Sequence, residues 1–193
     1  RESLGAPHPD HTGYAAKGEV IMFGDEDALE EVIKPRLIAA GADCNRIYHC
    51  PGVKVKEGDA PEDAELLKLE NDISVIRRTL KANPNVTTLI FDPLPEFIGG
   101  DHNSSKEVRD ALQPLQRLAQ EFGIAVIAIC HQNKKQGLSA VQTIAGSVGF
   151  AQVARTVLCV LNDPEAPTTR PAQPGKTIVR FDQGWPLQTL ASL

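Results

Sequence analysis

Apolar residues along this chain fall into short unbroken runs, separated by longer stretches in which they recur every three or four positions. The runs lie at 19–24 (EVIMFG), 46–50, 88–92 (TLIFD), 125–130 (AVIAIC), 156–161 and 177–182, with a last short one near 187–191. Their length and their Val/Ile content mark them as strands, and the absence of polar alternation in the central ones marks strands buried on both faces. Between them, residues 27–40 carry Ala28, Leu29, Val32, Ile33, Leu37 and Ala40 at helical spacing, with Asp27 placed to cap the start and Gly41 the end. Pro35 should kink that helix. A second helix is predicted over 63–82, its face formed by Leu66, Leu69, Ile73, Ile76 and Leu80. A third follows Ser104, where Ser104 and Glu107 have capping-box spacing, and Val108, Ala111, Leu112, Leu115, Leu118, Ala119 and Phe122 make one stripe closed by Gly123. A short helix fits 148–154.

Strands therefore alternate with helices, which implies an α/β domain with a mostly parallel sheet flanked by helices. The last two strands have no helix between them, so an antiparallel hairpin is expected at the C-terminal end. Residues 1–18, rich in Pro, His, Gly and Asp, read as a loop or arm, and 19–193 as the domain.

Composition narrows this picture only a little. The chain has 193 residues, enough for one domain with a core, and a net charge of −5, so no general basic field draws nucleic acid. Any DNA contact would come from a local basic loop. No apolar run is long enough for a membrane span. Cys44, Cys50, Cys130 and Cys159 form no C-x-x-C pair, which fits buried thiols in a reducing cytoplasm better than zinc or disulfides. The chain opens at Arg1 and its one methionine is Met22, inside a strand-like run; a fragment or processed chain is the expectation.

In parallel α/β sheets, ligands bind outside the carboxyl ends of the strands. Asp25, Glu26 and Asp27 follow the first run, Asp92 ends the 88–92 run, and His131, Gln132 and Asn133 follow AVIAIC, with Lys134 and Lys135 behind. These groups can hold Mg²⁺, orient a water and sense a phosphate. Each also has a plain reading: Asp27 as a helix cap, Glu26 and Asp92 as solvated turn residues, His131 as a packed histidine. Their convergence on one edge favours function. Cys130 beside His131 is a poor thiol dyad, because neighbours on a strand point to opposite faces. Gly175-Lys176-Thr177 looks like the end of a phosphate-binding loop, but Arg170 stands where the first glycine belongs and a strand follows rather than a helix.

The blocks FGDEDALEEVIKPRLIAAGAD, LIFDPLPEFIGGDHNSSKEVRDALQPLQRLAQEFGIAVIAICHQNKKQG and SVGFAQVARTVLCVLND, in that order, resemble the RecA-like ATPase domains of RepA-type replicative helicases and phage or plasmid primase-helicases. The resemblance spans roughly 19–163. It implies that Glu26 orients or deprotonates the attacking water, and that Asp92 is the Walker B aspartate holding Mg²⁺. His131 would be the γ-phosphate sensor, with Gln132 as a second candidate, and Lys134 and Lys135 would belong to a DNA-binding loop. Arg155 would be a finger reaching a neighbouring subunit's nucleotide, and Arg36 could face a phosphate. The strand and helix of the P-loop, which in the resembled fold stand mid-sheet before the block at 19–27, have no counterpart here. The sheet should then be split, rearranged or completed by other polypeptide.

The function so implied is an ATP- and Mg²⁺-dependent motor on single-stranded DNA, cytoplasmic and homo-oligomeric, as a hexameric ring in its full-length form. The 193 residues by themselves are expected to hydrolyse ATP negligibly. Two alternatives stand beside it: a catalytically inactive RecA-like module that binds DNA or a partner, and an unrelated doubly wound domain.

Overall fold

The computed structural model of the protein describes residues 4–5, 13–14, 17–24, 26–54, 64–131, 149–162, 177–181 and 188–189. Its strands are β1 (Glu19–Phe23), β2 (Ile47–Cys50), β3 (Val53–Lys54), β4 (Ala64–Glu65), β5 (Val86–Phe91), β6 (Ala125–Ala128), β7 (Leu158–Asn162), β8 (Thr177–Phe181) and β9 (Gln188–Thr189). Its α-helices are α1 (Lys34–Ala39), α2 (Leu69–Ala82), α3 (Ser105–Phe122) and α4 (Gly149–Val153).

Four strands form one all-parallel sheet in the order β2-β1-β5-β6. From β1 the chain passes through α1 to β2 on one side, and from β5 through α3 to β6 on the other. The strand order thus reverses between β1 and β5, and a crevice is expected there, outside the strand ends. Side chains alternate across the sheet. Ile21 and Phe23 of β1 and Leu89 and Phe91 of β5 share a core with Leu69, Ile76 and Leu80 of α2 and with Val108, Ala111, Leu112, Leu115 and Leu118 of α3. On the opposite side, Met22 lines a cavity together with Ile33 and Leu37, in and beside α1.

The helix caps explain where the elements begin and end. Ser104 Oγ accepts from the Glu107 amide at 3.3 Å, as its spacing predicts. The Glu107 carboxylate, however, accepts from the Asp101 amide at 2.8 Å rather than from Ser104, so the box closes on one side only. Gly123 ends α3 at φ 64°, and Gly41 follows α1 at φ 70°, conformations that cost glycine little. The first predicted helix comes in two parts. Leu29–Ile33 is a π-helical turn, and α1 begins at Lys34 with Pro35 in its first turn. Pro35 has no N–H to give to the preceding turn, so it starts a helix here instead of kinking one. The second helix is shorter than the 63–82 expected, since Ala64–Glu65 pairs antiparallel with β3.

Among the described residues, strands β7, β8 and β9 form a separate antiparallel sheet, so the expected C-terminal hairpin is present. Strand β6 was expected to be buried. Among the described residues it has β5 as its one neighbour, and Ile127 and Ile129 are 48% and 39% exposed. Among the described residues, nothing pairs with the outer edge of this apolar strand. No helix among the described residues is long and apolar enough to cross a membrane.

Candidate functional site

The exits of β1, β5 and β6 lie side by side, since Phe23 pairs with Phe91 and Phe91 with Ala128. Two further backbone bonds extend this alignment: Asp92 N–H to the Phe23 carbonyl at 2.9 Å and Ile129 N–H to the Phe91 carbonyl at 2.9 Å. Beneath the exits, Phe23 and Phe91 stack with centroids 4.6 Å apart, and Phe97 meets Phe91 edge-on at 5.3 Å. This buried aromatic trio fixes where the polar residues beyond it start. Gly24 is required at the first exit. A Cβ there would overlap the Asp92 carbonyl oxygen, so only glycine lets the β1 exit pass that close to β5.

Glu26, three residues past β1, and His131, three past β6, meet above β5: Glu26 Oε2 lies 3.1 Å from His131 Nε2. Asp92 emerges between them. Burial pushes its carboxyl above the usual carboxylate range, the negative Glu26 raises it further, and His131 pulls it back. The three residues expected to converge therefore do so, at the crevice where the strand order reverses. Among the described residues no set of three His, Cys, Asp or Glu side chains could hold a metal ion unaided.

Other expectations fare differently. Asp27 is not a helix cap; the residue preceding the π-helical turn is Ala28, and the Asp27 carboxylate instead accepts from Arg36 Nη1 at 2.8 Å. Arg36, which the resemblance would aim at a phosphate, is held by that ion pair. Arg155 is exposed just past α4. Asp25, Gln132, Lys134 and Lys135 lie outside the described residues. Thr177 opens β8, which agrees with rejecting a phosphate loop at 175–177. Cys130 packs at the core edge, and burial pushes its thiol up to about 11, the opposite of an activated nucleophile.

Sequence reasoning missed His49. A cavity of about 240 Å³ opens beside the crevice, between Met22, Ile33, Leu37 and His49, with Glu26, Asp27, Arg36 and Asp92 at its polar side. His49 pairs in register with Met22, and its buried Nε2 has no partner among the described residues. The one available signal was its place next to the end of the second strand.

An all-parallel sheet with a switch point, helices on both faces and acidic and imidazole groups on its carboxyl edge defines a RecA-like α/β domain of the ATPase type. Residues 3–137 match the family model described as AAA domain, and the chain belongs to that family. Among solved structures it is similar to a KaiC-like protein from the hyperthermophilic archaeon Pyrococcus horikoshii, with a TM-score of 0.51 and 15% identity over 90% of this chain and 71% of that one. No curated protein sequence matches it.

Proposed function

We propose that this chain is the hydrolytic core of an ATP-dependent DNA-processing motor of the replicative helicase or primase-helicase type. The observation that carries the reading is the meeting of Glu26 and His131 at 3.1 Å beside Asp92, over the switch point of a parallel sheet. A carboxylate there can take a proton from water as it attacks a terminal phosphate. A neighbouring imidazole can donate to a phosphoryl oxygen. Asp92 is the residue to hold Mg²⁺ through water, and one carboxylate suffices, because this ion keeps most of its ligands from water and phosphates. When bound, the ion neutralises phosphate charge.

The open edge of β6 supports the same reading. AVIA is the sequence of a strand covered on both faces, and it carries none of the Lys, Pro or bulges that protect a true edge. A parallel strand laid against it would end next to His131, and the turn leaving that strand would bring backbone amides to the crevice as a phosphate cradle. Arg155 would serve a neighbouring copy's nucleotide, while Gln132, Lys134 and Lys135 would meet single-stranded DNA in a homo-oligomer. The same edge also suits a catalytically silent module completed by a partner strand.

The test is ATP binding and turnover, with and without single-stranded DNA, in protein expressed from its complete gene. Magnesium-dependent turnover is expected in the wild type. Glu26→Gln should lower it by about 10²-fold or more while ATP still binds. Turnover retained in Glu26→Gln would remove Glu26 from its role. ATP binding without turnover in the wild type would favour the silent module.

A further inference from the structure

The end of the domain remote from the crevice carries positive charge that the site at the strand exits does not use. Three residues join α2 to β5, and two join α3 to β6. Since β5 and β6 are parallel neighbours, both helices end at the amino edge of the sheet, opposite the exits that lead to Glu26, Asp92 and His131. Arg77, Arg78 and Lys81 stand in the C-terminal part of α2, and Arg117 in that of α3. The helices are tied together there by Arg77 Nε, which donates to Glu121 Oε2 at 3.0 Å. Residues 77–81 and 117–121 thus hold four cations and one carboxylate, a local net charge of +3 in a chain whose total is −5. We propose that this ridge is a contact for the phosphate backbone of double-stranded DNA, separate from the single-strand contact given above to Lys134 and Lys135.

Its composition selects that partner. Arg78, Lys81 and Arg117 are exposed, and Arg77 keeps 38% of its side chain in solvent. Arg117 Nη2 donates to the neutral Gln113 Oε1 at 3.1 Å, so its charge is kept. Among the described residues neither Arg78 nor Lys81 forms an ion pair. The helix dipole accounts for little of the cluster: Lys81 is the one basic residue in the last turn of α2, and the last turn of α3 has none. No large apolar side chain on α2 or α3 is exposed, so the ridge offers a protein or a membrane no apolar area to bury. For the same reason it presents no exposed aromatic ring on which the bases of a single strand could stack. What it offers is charge, with arginine, whose planar fork matches phosphate oxygens, at three of the four positions. Side chains one helical turn apart, such as Arg77 and Lys81, start roughly 5–6 Å from each other, far enough for each to take its own phosphate.

Fluorescence anisotropy tests this on protein from the complete gene, without nucleotide, using a labelled DNA duplex and a single strand of the same length. The wild type should bind the duplex with a steep salt dependence. Arg78→Gln combined with Lys81→Gln should lower duplex affinity by about tenfold and reduce the slope of log K against log salt by about 2, with single-strand affinity held within about twofold. The charge-retaining pair, Arg78→Lys with Lys81→Arg, should bind the duplex as the wild type does. Both positions are exposed, so the melting temperatures should stay together. A wild type that ignores the duplex would overturn the proposal, as would an unchanged slope in the glutamine variant or an equal loss in the charge-retaining one. An equal loss of single-strand affinity would overturn it too, since the ridge would then not be a duplex contact. A glutamate-rich peptide that displaces the duplex as well as unlabelled duplex does would make the partner an acidic protein segment instead. None of these readouts requires ATP hydrolysis, so failure of the motor assignment and failure of this contact are told apart.

Discussion

Asp92 shows most directly how one residue's surroundings set its behaviour. Its carboxyl is raised above the ordinary value by partial burial and by Glu26. In the pH window between the ordinary and the raised value, the folded protein therefore holds more protons than the unfolded chain. Stability falls as pH rises through that window, and the penalty then persists to neutral pH. Replacing Asp92 by Asn removes the penalty while keeping the shape. The variant should melt higher than wild type at pH 7, by on the order of 1 °C given how open the carboxyl is. The difference should vanish near pH 3, where both forms are neutral. A melting temperature lowered at pH 7 would show that the carboxylate is stabilised where it stands. Such a gain in stability at the expense of a polar site is what a functional carboxylate predicts.

At the scale of elements, the site depends on how closely the β1 and β5 exits approach. Gly24→Ala places a methyl group against the Asp92 carbonyl, which is backbone and cannot turn aside. The strand exits must separate, and a loss of about 1–3 kcal/mol is expected by analogy with overpacked cores. Chemical denaturation measures it. Loss of the Glu26–His131 contact should accompany it, visible as a shift of the His131 ring resonances. Much at this scale was legible beforehand. The stripe on α3, its start at Ser104 and its end at Gly123 follow from period and cap chemistry, which are local. The runs at β1 and β5 likewise declared themselves, because strands covered on both faces leave uninterrupted apolar segments. Asp27 was misjudged for a physical reason. Capping is decided by the nearest free amides, whereas Asp27 found a guanidinium nine residues on, brought close by the fold of α1. The pairing of β3 with β4 was equally hidden, since two-residue strands carry no period.

For the molecule as a whole, the open edge of β6 is the dominant feature. Ile127 in β6 and Ile129 just past it are largely exposed, and among the described residues β6 has β5 as its one neighbour. Such an edge is a template for pairing with another chain. Ile127→Lys should leave the melting temperature within about 1 °C, because the side chain is largely exposed already. It should also lower self-association, measured by sedimentation across a concentration series. A large loss of stability would mean that Ile127 is covered in solution by part of the protein outside the described residues.

The amino-acid sequence by itself determined the alternation of strands and helices, the parallel class of the sheet and the set of polar groups at its strand ends. These depend on spacing along the chain, and the chain carries spacing directly. Only the tertiary structure decided which strands are neighbours, and therefore that Glu26 and His131 meet across Asp92 while Arg36 is drawn to Asp27. It alone placed His49 in the wall of a cavity and, among the described residues, left β6 with one partner. The reason is physical: residues 105 positions apart come within 3.1 Å through the order of strands in the sheet, a relation that no local pattern encodes.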